Sequence, residues 1–241
     1  MNKELLSKTL AAIVTENHAA ASVFEKYKLD FCCKGKRSLE AACKEKELQA
    51  DAVVADIEKL TQQPVETIHD FTSLSLTELT EYIVSTHHAY TKRELPQIFA
   101  YLQKVSSKHG ERHNELYRIF EAFANLKEEM EMHMRKEELI LFPRIEELES
   151  EPDQPKELRM NIQAPISVME DEHEHAGNLM EKIRGYSNNY TPPEDACTTY
   201  RLAFAALHAL EKDLHQHVHL ENNILFPRAV KLFTESKISS N

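Results

Sequence analysis

HMRKEELILFPR, from His133 to Arg144, returns as HVHLENNILFPR from His217 to Arg228, with seven of twelve positions identical. Each copy opens on a His followed four residues later by a Glu. On an α-helix that spacing places an imidazole and a carboxylate one turn apart on the same face. The pattern extends backwards, since His88 lies 45 residues before His133 and His173 lies 44 before His217. Two half-sites are therefore written in series.

Working outward from the repeat, the composition favours helix, with only four Gly among 241 residues and abundant Leu, Ala, Glu and Lys. The reading is all-α, with almost no strand. Four long helical segments are expected at roughly 76–106, 111–149, 160–186 and 194–233. The turns between them carry Gly110, the cluster EPDQP at 151–155, and Asn188-Asn189 through Pro192-Pro193. This order predicts an up-down-up-down four-helix bundle. At about 1.5 Å per residue, His88 and His133 both fall roughly 30 Å from the first turn, at one level of a hairpin. The second hairpin matches less closely, and the longer 187–193 loop is expected to take up the difference.

Residues 3–61 read instead as short amphipathic helices in a small bundle. Among them sits DFCCKGK, where Gly35 permits a tight turn and holds Cys32 and Cys33 in a loop before a helix beginning near Ser38. The stretch QQPVETIHDFTSLS reads as a linker, so two domains are expected, 1–65 and 66–241.

Charge narrows the partners. Residues 1–63 hold ten basic and ten acidic side chains, so the entire net charge of −11 falls on the bundle, which disfavours nucleic acid. No apolar run approaches the length needed to cross a bilayer, and the amino-terminal stretch lacks an apolar signal region, so a cytoplasmic protein is expected. Cys32, Cys33, Cys43 and Cys197 lack zinc-ribbon spacing and read as thiols.

With ligands turned inward, His88, His133, Glu137, His173, His217 and Glu221 would meet in the bundle core. Four imidazoles and two carboxylates suit two metal ions, with the carboxylates as bridges and coordination positions left open. Mixed nitrogen and oxygen ligation favours iron, then manganese. The repeat selects His217 over its neighbours His215 and His219, whereas His87 competes with His88 and His175 with His173. His18, His69, His109, His113 and His208 read as surface or packing residues. Phe142, Pro143, Phe226 and Pro227 are assigned to packing and to ending or kinking the ligand helices. Glu129 and Glu172 read either as supporting carboxylates or as a solvated helix face.

These residues resemble the Ric, or repair of iron centres, family, hemerythrin-like di-iron proteins that protect iron-sulfur clusters under nitrosative and oxidative stress. DFCCKGK resembles the signature of that family's small N-terminal domain, and HMRKEELILFP, APISVMEDEHEHAG, TPPEDACTTY and HVHLENNILFP resemble its bundle motifs. The resemblance implies His88, eight residues before Pro96, and His173 of MEDEHEHAG as ligands, with Glu137 and Glu221 as bridging carboxylates. It further implies two iron ions in an oxo- or hydroxo-bridged centre, damaged iron-sulfur proteins as clients, and a homodimer. Two departures stand out. Oxygen-carrying hemerythrins use five His where this chain matches four, and CCKGK stands where many relatives carry two Gly after the Cys pair.

Three functions follow as expectations. The first is cluster repair by iron donation from a labile site. The second is a di-iron reductase acting on NO, peroxide or oxygen, with Cys32 and Cys33 as redox or cluster-reactive thiols. The third is an iron- or gas-sensing module.

Overall fold

The computed structural model describes residues 3–61, 70–151 and 160–235. Among them there is no strand, only an isolated antiparallel bridge between Thr9 and Ser38. Residues 62–69 of the expected linker (62–75), the domain boundary near 65, His69 and most of the 151–155 turn lie outside the described residues.

Five short helices come first: α1 (Lys3–Ser7), α2 (Leu10–Glu16), α3 (Ala20–Lys26), α4 (Leu39–Glu45) and α5 (Ala50–Thr61). Thr9 and Ser38 start α2 and α4 by accepting the N–H groups of Ala12 and Ala41, donors that a helix N-terminus otherwise leaves unpaired. Leu10, Phe24, Leu39 and Val53 form their fully buried centre, and Val218 of the bundle joins the same core. The amino-terminal unit is thus packed onto the bundle through shared apolar surface. Gly35 sits in the loop as expected, but the reason differs. Its φ is not positive; a Cβ there would lie 2.2 Å from the Phe31 carbonyl oxygen and 2.9 Å from Ala11 Cβ. Close backbone approach, and not a left-handed turn, is what demands glycine.

The remaining helices are α6 (Leu76–Ile83), α7 (Ala89–His109), α8 (Glu115–Lys136), α9 (Phe142–Ser150), α10 (Gln163–Tyr186), α11 (Thr198–Leu220) and α12 (Phe226–Thr234). The pairs α6/α7, α8/α9 and α11/α12 are joined without a break by single π-helical turns, Val84–His88, Glu137–Leu141 and Glu221–Leu225. The result is the four long segments of an up-down-up-down bundle. In its ring, α7 packs on α8 and α11, and α8 packs on α10. A capping box of Ser75 and Glu78 starts the first segment. The second hairpin closes through Asn188, Asn189 and Tyr190, all with positive φ, which turns the chain sharply.

Two apolar cores divide the bundle along its axis. One, built around Leu102, Phe123, Ile183 and Leu207, fills the end of the hairpin turns; the other gathers Ile83, Phe142, Leu225 and Phe226. Between them lies a belt of buried polar side chains. No helix among the described residues is long and apolar enough to cross a membrane.

Candidate metal centre

All six residues singled out by spacing and motif meet in that belt, each at most 2% exposed. They fall into two quartets, His88, His217, Glu137 and Glu221, and His133, His173, Glu137 and Glu221. The carboxylates are common to both. Glu221 divides its oxygens, with Oε1 2.9 Å from His217 Nε2 and Oε2 3.0 Å from His173 Nε2. Glu137 Oε2 lies 3.2 Å from the Nε2 atoms of both His88 and His133.

The imidazoles face one another through the same ring nitrogen. His88 Nε2 is 3.1 Å from His217 Nε2, and His133 Nε2 is 3.0 Å from His173 Nε2. The opposite edge of three rings is anchored: His88 Nδ1 to Glu138 Oε1 at 2.7 Å, His133 Nδ1 to Glu172 Oε2 at 3.0 Å, and His173 Nδ1 to Asn222 Oδ1 at 2.9 Å. In the neutral ring an acceptor at Nδ1 takes the proton there and frees the Nε2 lone pair for a metal. Paired lone pairs at this separation repel unless a positive charge lies against them. Moreover, both oxygens of Glu137 and Oε2 of Glu221 are buried without a hydrogen-bond donor among the described residues. Uncompensated burial of a carboxylate costs several kcal/mol, so a cation fits this donor set. The spacing agrees, because two ligands at right angles on a metal with bonds of about 2.1 Å stand about 3 Å apart.

The electrostatics point the same way. Burial opposes charge on His133, yet Glu137 and then Glu172 outweigh it and raise its pKa to about 10. Burial likewise pushes the Glu221 carboxyl up, and His217 and His173 overcome it, holding it well below the ordinary range. The hydrogen bond from His133, ahead of Lys136, holds Glu172 at about 2. The centre is therefore a well for positive charge.

The π turns mark this belt. Two of them open on Glu137 and Glu221, and in each the N–H of the following Phe reaches back five residues to the carboxylate residue's carbonyl; the third ends on His88. One extra residue in a turn shifts the helix face that follows, and such turns concentrate at functional sites. Pro143 and Pro227 stand in the first turn of α9 and α12, where a missing N–H is tolerated. The ligand helices therefore do not end at these prolines, as one reading had it, but widen and resume. The preceding phenylalanines pack as expected, Phe142 stacked on His88 and Phe226 on His173.

Residues 80–229 match the hemerythrin HHE cation binding domain, and residues 6–61 match a domain of unknown function, DUF542. The iron-sulfur cluster repair protein YtfE of Escherichia coli O81 (strain ED1a) is 38% identical over 213 residues, covering 88% of this chain and 91% of that protein. Its counterpart in Escherichia fergusonii shows the same identity and coverage. The chain belongs to the Ric family of hemerythrin-like iron-sulfur cluster repair proteins.

Within this Ric chain the structure also places what sequence reasoning left open or passed over. Glu172 supports His133, whereas Glu129 pairs with the exposed His175, away from the quartets. Glu138 and Asn222 were missed, although the repeat carried a signal. Each follows the shared Glu of its own copy, and each anchors a His of the neighbouring helix in its hairpin. The counterpart of Glu172, which precedes His173, is His87, which precedes His88. His87 is buried, bonds Asp213 through Nδ1 at 3.0 Å and stacks on His217 with centroids 5.6 Å apart. An imidazole thus stands where pseudo-symmetry would put a carboxylate, and His217 Nδ1 is left without a partner among the described residues. Of the remaining His, His215 pairs with Glu25, His219 packs against Phe31, and His113 pairs with Asp195. His18, His109 and His208 pack against other rings.

Asn222→Leu removes an anchor while leaving all six candidate ligands in place. Iron affinity measured by chelator competition is expected to fall about ten- to a hundredfold with helicity unchanged; an unaltered affinity would show that His173 needs no such support.

Proposed function

We propose that this protein repairs iron-sulfur clusters damaged by nitrosative or oxidative stress, by donating iron from a labile site. In this reading His88 and His217 hold one iron ion, His133 and His173 a second, and Glu137 and Glu221 bridge them, so that the occupied site is an oxo- or hydroxo-bridged di-iron centre. The observation that carries it is the convergence of four imidazole Nε2 atoms and two shared, buried carboxylates, three of whose oxygens lack a hydrogen-bond donor among the described residues. Membership of the Ric family and similarity to the YtfE iron-sulfur cluster repair proteins support the role. Bound there, iron supplies a labile cargo. The chain's own residues set how firmly it is held, and imidazole with carboxylate grips iron less tightly than thiolates grip a soft metal. Because Glu221 faces both His pairs, displacing that one side chain would loosen both ions together.

The reading includes a small helical domain at 1–65 ahead of the bundle at 66–241, a cytoplasmic setting, a homodimer, damaged iron-sulfur proteins as clients and NO or oxygen species as small ligands. Cys32 and Cys33, on a loop that touches the backbone of His173, would act as reactive thiols at the edge of the site. The test joins metal analysis to cluster reactivation. Iron-loaded protein mixed with a nitrosylated client is expected to lose iron in proportion to the clusters restored. Sustained NO reduction over many cycles, with iron retained, would instead make the protein a di-iron reductase.

A further inference from the structure

The loop carrying the cysteine pair holds a second constellation. Cys32 Sγ and Cys33 Sγ stand 3.8 Å apart, and Cys32 Sγ lies 3.3 Å from Asp30 Oδ1. One ligand atom from each of the three residues falls within 4.8 Å of the others. A tetrahedral ion with bonds of about 2.3 Å to sulfur and about 2.0 Å to oxygen sets S···S edges near 3.8 Å and S···O edges near 3.5 Å. The Cys32–Cys33 separation fits that shape, and with Asp30 Oδ1 engaged by the loop N–H groups the carboxylate's Oδ2 would be the ligand oxygen. A disulfide needs an S–S bond of about 2.05 Å and, between adjacent residues, a strained eight-membered ring.

We propose that Asp30, Cys32 and Cys33 form a second metal site that takes one thiophilic divalent cation, with zinc(II) as the type. The site is framed before any ion arrives. Asp30 Oδ1 accepts the N–H groups of Cys32, Cys33 and Lys34, at 3.2, 2.9 and 3.3 Å. From the bundle, Asn223 Nδ2 donates to the Cys32 carbonyl at 3.1 Å. Cys33 Sγ rests 3.6 Å from the His173 carbonyl oxygen. Cys32 is buried while Cys33 is only partly so, and both line a cavity of about 590 Å³ shared by the loop, α10 and α11, which offers entry and a free fourth position. Binding would release both thiol protons to solvent and leave two thiolates and one carboxylate around the ion. Two thiolates select a softer metal than the imidazole and carboxylate shell of the bundle, so ligand type sorts the two sites.

Zinc(II) added to the full-length, iron-loaded protein tests this through zinc content after desalting and zinc-edge X-ray absorption. One zinc per chain is expected, with two sulfur neighbours at about 2.3 Å. The double variant Cys32→Ser/Cys33→Ser should lose that zinc while keeping its iron and helicity. Asp30→Asn, which keeps an acceptor for the loop N–H groups, should weaken zinc binding at least tenfold. Zinc held equally by the double variant, or surrounded by nitrogen and oxygen alone, would overturn the proposal. If the double variant loses helicity, Asp30→Asn decides, and unchanged zinc affinity in it sinks the site. This site shares no ligand with the bundle centre, so Glu221→Leu should leave its zinc in place.

Discussion

Glu221→Leu should reduce bound iron from about two ions per chain to less than one, a larger loss than truncating any single His of the proposed centre. The asymmetry follows from geometry. A His touches one quartet, whereas Glu221 presents Oε1 to His217 and Oε2 to His173. Leucine is nearly isosteric and removes a buried carboxylate, so without metal the variant should be at least as stable as the parent. Glu137→Leu should behave alike, because Glu137 Oε2 reaches both His88 and His133. Metal analysis, the near-ultraviolet bands of an oxo-bridged iron pair and far-ultraviolet circular dichroism together read the outcome. Iron content equal to that of the parent would remove Glu221 from the ligand set.

Arg184→Met is expected to cost about 3–5 kcal/mol of stability at neutral pH without touching the metal residues. Arg184 Nη1 lies 3.2 Å from Glu211 Oε1, and Glu211 is 4% exposed on the inner face of α11. Removing the guanidinium takes away the largest interaction that offsets burial of this carboxylate, leaving His215 and Tyr190 beside it. In the intact protein burial already raises the Glu211 pKa above 4.5, with Arg184 pulling against it. A carboxyl whose folded pKa exceeds its unfolded one favours folding most below the unfolded value, and that contribution is lost as pH rises through the folded value. The variant, with the opposing cation gone, should therefore show its full deficit at neutral pH and recover part of it towards pH 4.5. Denaturant unfolding of metal-free protein across that range measures it. A deficit that does not vary with pH would mean that lost packing of the arginine stem, and not the stranded charge, is responsible.

Much of the architecture could be read from residue order. Helix-rich composition, long amphipathic segments and turn residues at 110 and 188–193 sufficed for an up-down-up-down bundle, and the structure bears that out. The His-to-Glu spacing within each repeat is a local property of one helix, so it could be read directly, and the six residues it and the family motifs singled out come together in the folded chain. Other features were hidden for a physical reason. A π turn depends on how a helix is wound against its neighbours, and no spacing rule for ordinary helices signals one. Whether Glu172 faced solvent or His133 depended on the rotation of α10 against α8, which adjacency in sequence does not encode. Gly35 was recognised as a turn residue, but the close approach of Phe31 and Ala11 that requires it is a contact of the folded chain that spacing does not reveal.

Sequence by itself determined the helical class, the duplicated hairpin and the chemical identity of the candidate ligands, because each is written in composition or in contacts within one turn of helix. Only the tertiary structure decided which imidazoles face each other, that Glu138 and Asn222 orient His88 and His173, that His87 breaks the symmetry beside His217, and that the cysteine loop rests on the backbone of His173. Those relations join residues 40 to 140 positions apart on separate helices or loops. They are set by the register and rotation at which apolar faces lock together, which the chain acquires only on folding.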